Sequence, residues 1–253
     1  MPDPNCRRIE FDFLQRLPDQ NLGFVESCLL YNTNEEVRAI REMDVSTGKL
    51  KTLIEPSWDI KEMGPFSFSP NRSELIQEDM ADHILSNKLF YRKDGTLIQI
   101  VPNFIRAMHP SWSLIDRQIA FLGTQSYPGK KPQELKTLND IAKLALYPWD
   151  LYISTPEGTN LKKFLSAVQD VFLVKWSPKE DAIAFSGMYE KVPGLWLIDL
   201  KTSKVTRVWS KTGETDLFDW SPDGRKIVVV NSDLDKNSKV IAQKINIIYL
   251  DNE

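Results

Sequence analysis

The segment Asp219-Trp-Ser-Pro-Asp-Gly-Arg-Lys-Ile-Val-Val-Val230 joins a tight turn to a β-rich run. Its proline presets φ, its aspartate can bond its own backbone, and Gly224 accepts the positive φ that such a turn needs. The β-branched residues after the turn favour a strand. Trp220, which precedes the turn, offers a large apolar surface that can wedge between neighbouring sheets. This segment therefore predicts two antiparallel strands joined by a tight turn.

The same aromatic-Ser-(Pro) step occurs three more times. The other copies are Phe66-Ser-Phe-Ser-Pro70, Pro110-Ser-Trp-Ser113 and Lys175-Trp-Ser-Pro178. The key aromatics of the four copies are Phe68, Trp112, Trp176 and Trp220. Their spacings are 44, 64 and 44 residues, so the middle interval is one period with an insertion of 20 residues. A fixed period of this length indicates a repeat architecture.

A second recurring pattern follows each motif. Strand-like runs end at the turns Lys93-Asp-Gly95, Pro156-Glu-Gly158 and Lys201-Thr-Ser203, and another short β-like run comes after each turn. Each unit of roughly 40 residues thus holds four short strands, which is the blade of a β-propeller. We distinguish five units, of which the first is degenerate and the last lacks its final strand.

The run from Trp220 to Gly224, with the strands after it, resembles the TolB-type, WD-like propeller repeat. Pro222, Asp223 and Gly224 complete that motif, whereas the copy at Trp176 has Lys-Glu-Asp in place of Asp-Gly and the copy at Phe68 has Asn-Arg. The resemblance implies an all-β propeller of four-stranded blades, with residues 1–253 as one domain. Five blades are favoured and six are the alternative.

The resemblance carries little information on function, because this repeat occurs in scaffolds, in periplasmic assembly factors and in the propeller halves of peptidases. The sequence lacks the signal and the N-terminal α/β domain of TolB itself, and it lacks the Gly-x-Ser-x-Gly of a peptidase hydrolase domain. The run Ile9-Glu-Phe-Asp-Phe13 either completes the last blade and closes the ring or forms the inner strand of the first unit.

The extra residues of the third unit predict a helical insertion at 125–148. Leu135, Leu138 and Ile141 share one stripe at helical spacing, and a proline stands near each end of the segment. The stripe either packs on its own propeller or docks a partner. In the second case Leu135, Leu138, Ile141 and the flanking Trp149 are the expected partner-binding residues.

Two acidic stretches resemble cation ligands, but each is better interpreted as a loop. Glu78, Asp79, Asp82 and His83 could share a helical turn, yet no further ligand anchors them. Asp233-Leu-Asp-Lys-Asn237 imitates the start of a calcium loop, but Ser238 and Lys244 stand where glycine and a bidentate glutamate are needed. His109, a lone histidine at a strand end, is interpreted as structural. We predict no catalytic, metal-binding or cofactor-binding residue.

Composition narrows the range of partners. The 253 residues carry a net charge of −3 and no block of five basic residues, which disfavours nucleic acid as a partner. No apolar run is long enough to span a membrane. Cys6 and Cys28 are interpreted as free thiols in a reducing cytosol, so the predicted location is the cytoplasm.

These observations favour a non-enzymatic protein-interaction or scaffold module with another protein as its partner. The alternative is an enzyme or binder of small molecules or glycans that uses carboxylates at the propeller channel, since such residues leave no local spacing to detect. A third interpretation is that the chain is a piece of a larger propeller protein.

Overall fold

The computed structural model of the chain describes residues 6–17, 21–31, 36–57, 63–79, 87–126, 147–210, 214–234 and 240–250. Within these ranges every helix or strand element is a β-strand. The strands are β1 (Cys6–Arg16), β2 (Leu22–Leu30), β3 (Glu36–Met43), β4 (Leu50–Ser57), β5 (Met63–Phe68), β6 (Glu74–Asp79), β7 (Lys88–Lys93), β8 (Thr96–Gln99), β9 (Arg106–Trp112), β10 (Ile119–Thr124), β11 (Trp149–Ser154), β12 (Lys162–Trp176), β13 (Ala182–Tyr189), β14 (Val192–Asp199), β15 (Val205–Trp209), β16 (Glu214–Trp220), β17 (Lys226–Leu234) and β18 (Val240–Tyr249). The described ranges contain no long apolar helix that could cross a membrane.

The strands form antiparallel sheets in simple chain order. The orders are β1-β2-β3-β4, β5-β6-β7-β8, a seven-stranded sheet from β9 to β15, and β16-β17-β18. The seven-stranded sheet contains two units because β12 serves both: its first half pairs with β11 and its second half pairs with β13. β12 bends between these halves, where Ala167 and Asp170 have positive φ. We number the resulting units 1 to 5 in chain order.

The aromatic of each motif packs on the preceding unit. Phe68 joins Val25 and Ile40 of unit 1 in one buried cluster, and Trp220 joins Ala184 and Leu195 of unit 4 in another. Trp112 and Trp176 occupy the same position against units 2 and 3. All four aromatic side chains are buried. Burial of such large rings accounts for much of the adhesion between units.

A serine one residue before the aromatic links consecutive units. The backbone N–H of Trp112 donates to the Ser67 hydroxyl at 2.9 Å, and that of Trp176 donates to the Ser111 hydroxyl at 2.8 Å. Because both acceptors occupy the same place in their own motifs, equivalent positions of successive units lie side by side. The units are therefore stacked in register.

The motif turns explain why the sequence departs from Asp-Gly without losing the fold. Gly224 has a φ of 61° and its N–H donates to the Ser221 carbonyl. Arg72 and Glu180 take the same place in their turns, with φ values of 62° and 61°. Each uses its side chain to hold the preceding unit: Arg72 forms a 2.8 Å ion pair with Glu42, and Glu180 accepts from the Ser113 hydroxyl at 2.5 Å.

Two expectations about the start of the chain are resolved. The run Ile9-Glu-Phe-Asp-Phe13 lies in β1, which pairs with β2, so it is the inner strand of unit 1 and does not complete the last sheet. The prediction of free thiols was wrong, because Cys6 and Cys28 form a disulfide. The register places Cys6 opposite Leu30, two residues from Cys28 on the adjacent strand, and the Cα atoms of the two cysteines lie 5.4 Å apart.

Each unit has two ends with different contents. The turns between its first two strands, which carry the Ser-Pro motifs, lie at one end, which we term the motif end. Antiparallel order places the connection between its second and third strands at the opposite end, which we term the loop end. The segment 125–148 is such a connection, and most of it, residues 127–146, lies outside the described residues. The predicted helix, with Leu135, Leu138 and Ile141, therefore stays a prediction.

Candidate interaction site at the loop end

The insertion leaves and re-enters unit 3 at neighbouring points of its sheet. β10 ends at Thr124 and β11 begins at Trp149, and the two strands are paired up to Gly123 opposite Asp150. The ladder thus runs unbroken to the loop end, as it would with a short turn. The 125–148 segment is therefore an insertion that leaves the pairing of β10 and β11 unchanged.

A buried arginine anchors the point of return. Arg106 begins β9, is 2 % exposed, and donates to the Thr124 hydroxyl at 3.0 Å and to the Tyr147 carbonyl at 2.5 Å. Its guanidinium carbon lies 3.5 Å from the centre of the Trp149 ring. Burial lowers the pKa of Arg106 to about 10, which leaves it charged at neutral pH. A cation stacked on an aromatic ring in this way fixes both side chains.

Beside this anchor lies a polar cleft of about 320 Å³. It is lined by residues from the ends of β10, β11 and β12, among them Gln125, Tyr147, Asp150 and Lys163. Asp150 forms a 2.6 Å ion pair with Lys163 and accepts hydrogen bonds from the Ala167 N–H and the Tyr152 hydroxyl. The carboxylate is therefore held by its neighbours, and the cleft presents chiefly amide and hydroxyl groups around it.

Asp44, Asp150 and Asp199 all stand at or near strand ends, but the three do not share one structural role. Asp44 and Asp199 do share one, because each accepts backbone N–H groups in a turn at the motif end. Asp150 lies instead at the loop end, where its partner is the Lys163 side chain.

A second polar cluster, with Glu78 buried at its centre, lies where units 2, 3 and 4 meet. Glu78 on β6 is 1 % exposed; it accepts from the His109 backbone N–H at 3.0 Å and from the Asn87 side-chain amide. His109 on β9 has a φ of 54° and bonds through its ring to the Val171 backbone of β12. Its Nδ1 atom is sealed from solvent and has no partner.

Burial governs the ionisation of both groups. It raises the pKa of Glu78 to about 7, although the hydrogen bonds from His109 and Asn87 oppose this. It lowers the pKa of His109 to about 4, against the bond to Val171. Both side chains are therefore favoured in their neutral forms near pH 6, and their enclosure fits the structural role predicted for His109.

The motif end holds its charges in internal pairs. Arg117 of unit 3 bonds to Glu74 of unit 2 at 2.9 Å and to Glu157 at 2.5 Å. Burial opposes ionisation of Glu74, but hydrogen bonds from Arg117, Tyr91 and Lys93 outweigh it and lower the pKa of Glu74 to about 2. These contacts tie units together, so we assign this network a structural role.

The acidic stretches form no metal centre within the described ranges, where no group of three or more His, Cys, Asp and Glu side chains converges. Glu78 and Asp79 end β6, while Asp82 and His83 lie outside the described residues. Most of the stretch from Asp233 to Asn237 also lies outside them.

The sequence singled out Trp149 as an expected partner-binding residue, which stays a prediction, and it gave no sign of Arg106, which stacks on the Trp149 ring. Arg106 carried no signal, since it stands alone in no recognisable motif. Ser67 and Ser111 did carry one, because each precedes a motif aromatic by one residue. Their role becomes visible only when consecutive units are placed side by side.

No protein-family profile matches the sequence. Several solved structures, in contrast, are similar to the structure of this chain. A TolB-like protein of Agrobacterium tumefaciens is similar with a TM-score of 0.65 and 11 % identity, over 96 % of this chain and 78 % of its own. TolB from Acinetobacter baumannii has a TM-score of 0.58 and 15 % identity over 96 % of this chain, which spans 50 % of that protein. The β-propeller domain of the Trilobed protease from Pyrococcus furiosus, described as having an open velcro topology, has a TM-score of 0.54 and 11 % identity over 98 % of this chain and 70 % of its own.

These likenesses and the sheet order establish the fold. The chain is an all-β protein of antiparallel sheets with the TolB-type β-propeller fold, as its repeat motif predicted. At this level of identity the neighbours bear on fold alone.

Proposed function

We propose that this TolB-like β-propeller is a non-enzymatic protein-interaction module whose partner binds at the loop end of unit 3. Its five units act as five blades of one rigid frame. The observation that carries the proposal is the anchoring of the 125–148 segment: Arg106 holds the Tyr147 carbonyl and the Trp149 ring where the segment rejoins the sheet. The buried, charged Arg106 holds the base of the insertion in place, which indicates that the position of the insertion matters.

The chemistry of this region suits a protein partner. The insertion is expected to present Leu135, Leu138 and Ile141 as an apolar stripe, and the adjoining cleft offers amide and hydroxyl groups with Asp150 and Lys163 already paired. An apolar strip with a polar rim is the usual arrangement of a protein interface.

The test is removal of the insertion from an otherwise unchanged frame. A variant that lacks residues 128–146, with a short glycine-serine link from Tyr127 to Tyr147, is expected to keep its unfolding temperature, because the β10–β11 ladder and Arg106 are untouched. Chemical cross-linking and capture from native lysate should then show a defined protein partner that the intact chain binds and the variant loses. Ile115→Ser, which changes an exposed residue at the motif end, is the matched control and should keep the partner. Equal capture by all three proteins contradicts the proposal.

The cleft of about 320 Å³ supports a second candidate, the binding of a small polar molecule such as a sugar. Its volume lies within the range of ligand sites. One neighbour of this fold is an oligogalacturonate lyase in complex with manganese, with a TM-score of 0.50 and 13 % identity over 90 % of this chain and 72 % of its own. If the deletion changes no capture, thermal stabilisation of the intact chain by sugars and uronates is the measurement that favours this candidate.

The location remains a proposal as well. The sequence favoured the cytoplasm. The Cys6–Cys28 disulfide favours an oxidising compartment instead, since such cross-links are rarely kept in a reducing cytosol.

A further inference from the structure

The polar cleft at the loop end of unit 3 contains hydrogen-bonding groups that the protein itself does not use. Gln125 and Ser126 reach the cleft from the end of β10, and Ser166 reaches it from β12. Within the described part of the chain, none of these three side chains is engaged by another residue. One amide and two hydroxyl groups are therefore available to a ligand that forms hydrogen bonds at several points.

The charges that line the cleft cancel. Among the described residues around it, the charged ones are Asp150 and Lys163, which form a 2.6 Å ion pair. The hydrogen bond that Lys163 donates to Asp150 raises the pKa of Lys163, so the ammonium stays charged. The nearby Arg106 is not a lining residue, and its guanidinium donates to the Thr124 hydroxyl and the Tyr147 carbonyl. An anionic ligand would be repelled by Asp150 and a cationic one by Lys163, so the cleft favours a ligand without net charge.

The ion pair retains hydrogen-bonding capacity on both partners. Oδ2 of Asp150 contacts the Lys163 ammonium and the Tyr152 hydroxyl, whereas Oδ1 accepts from the Ala167 N–H at 3.2 Å. A carboxylate has about four acceptor sites, and an ammonium has three N–H donors. The pair therefore offers an acceptor and a donor side by side. Hydroxyl groups on adjacent carbons match this arrangement, because each of them both donates and accepts.

Tyr147 and Pro148 add an apolar wall to these polar groups. Both residues are half-buried where the insertion rejoins the sheet. The C–H face of a sugar ring can pack on such a wall while its hydroxyl groups reach the polar side chains. The volume of about 320 Å³ is at the lower end of the range for ligand sites and suits a small molecule. An uncharged, polyhydroxylated ring is the ligand that uses both parts of the lining.

We propose that this cleft binds a neutral sugar and that Asp150, through its pairing with Lys163, excludes sugar acids. The sugar site is the second candidate function of the molecule, on which this proposal rests; the ligand class and the residue that selects it are new. Binding at the cleft does not depend on a protein partner at the insertion.

Titrations followed by saturation-transfer NMR test the ligand class on the intact chain. The probes are glucose, galactose and mannose, each compared with its own acid, namely glucuronate, galacturonate and mannuronate. Each pair differs at one carbon only, so a difference in binding reports the effect of the negative charge. We expect at least one neutral sugar to bind with a dissociation constant of about 1 mM and about tenfold more tightly than its acid.

Asp150→Asn provides a readout that a merely structural role would not give. Asparagine keeps the shape of the side chain and can accept from the Ala167 N–H, but it leaves the Lys163 charge without its partner. We expect this variant to bind the sugar acid about tenfold more tightly than wild type does, and the neutral sugar more weakly.

A second variant tests the place of binding without altering a charge. Gln125→Ala should weaken binding of the neutral sugar about fivefold, because it removes the free amide from the cleft. Gln118→Ala is the matched control, since Gln118 is an exposed glutamine at the motif end of the same unit, and it should leave binding unchanged. Both glutamines are exposed, so neither substitution is expected to change the unfolding temperature.

The possible results separate this proposal from the candidate function beneath it. If wild type binds the acids as tightly as the neutral sugars, or more tightly, the selective role of Asp150 is wrong and small-molecule binding stands. If a neutral sugar binds but Gln125→Ala and Asp150→Asn leave its affinity unchanged, the cleft is not the site. If neither the neutral sugars nor their acids bind, the proposal and the second candidate function both fail.

Discussion

Replacing Glu78 by glutamine is expected to remove a loss of stability that the wild-type protein suffers as pH rises toward and through about 7. The pKa of Glu78 is raised to about 7 by burial, against 4.5 in the unfolded chain. At a pH below 4.5 the Glu78 side chain is neutral in both the folded and the unfolded protein, so its contribution to the free energy of unfolding is complete. Between these values only the unfolded state ionises, and the contribution falls to zero above the folded pKa. The full difference is about 3 kcal/mol.

The glutamine can satisfy the same site. Its carbonyl replaces the oxygen that accepts from the His109 N–H, and its amide faces Asn87, whose side chain can rotate to present oxygen in place of nitrogen. Urea unfolding at a series of pH values is the measurement, with Glu190→Gln in the exposed β13–β14 turn as control. The prediction is wrong if Glu78→Gln and the control follow the wild-type pH profile equally.

His109 supplies a companion variant with the opposite sign. Its pKa is lowered to about 4 in the folded protein, against 6.5 when unfolded, so its contribution is complete above 6.5 and is lost as pH falls through 4. In wild type the two slopes cancel between about 4.5 and 6.5. Asparagine tolerates the positive φ at this position. His109→Asn should therefore remove the loss of stability at acid pH and leave only the pH dependence of stability that Glu78 causes.

Replacing Trp176 by alanine is expected to lower the free energy of unfolding by about 4 kcal/mol. The indole fills the contact between units 3 and 4, where it clusters with Leu122, Leu151 and Ile183. Its loss leaves a cavity in the middle of the stack, which neither unit can close because both backbones are fixed by their own ladders.

The conservative variant makes this test specific. The indole Nε1 of Trp176 is buried without a hydrogen-bond partner, so Trp176→Phe removes a polar group that is already unsatisfied and should cost less than about 1.5 kcal/mol. Denaturant unfolding followed by far-UV circular dichroism gives both values. Leu217→Ala, at an exposed position, should change stability little. Losses of equal size for Trp176→Ala and Trp176→Phe would show that the indole is not the packing element.

The architecture was predictable because the same local sequence pattern recurs in several units. The aromatic, the Ser-Pro turn and the β-branched strand each act within a few residues, so Trp176 and Trp220 reveal both the strands and the period. The same local rules predicted three strands for unit 5, and its described residues form three. They also placed the insertion between the second and third strands of unit 3.

The rest depends on contacts between residues far apart in sequence. Arg106 meets Tyr147 only because β9 and β11 flank β10, and Glu78 meets His109 only because units 2 and 3 stack in register. The Cys6–Cys28 disulfide was missed for the same reason, since it requires knowing that β1 pairs with β2. A search for local sequence motifs does not detect contacts between residues so far apart in the chain.

The Cys6–Cys28 cross-link also makes the two ends of this array unequal. Repeat units that contact only their immediate neighbours behave as a nearest-neighbour chain, which melts most readily from its ends. The disulfide closes the first hairpin covalently, whereas the described residues of unit 5 form three strands that pack against unit 4. Fraying should therefore start at β18 and progress toward the disulfide, and amide hydrogen exchange would register it as the fastest opening in β16 to β18. Equal or faster exchange in β1 and β2 would contradict this direction.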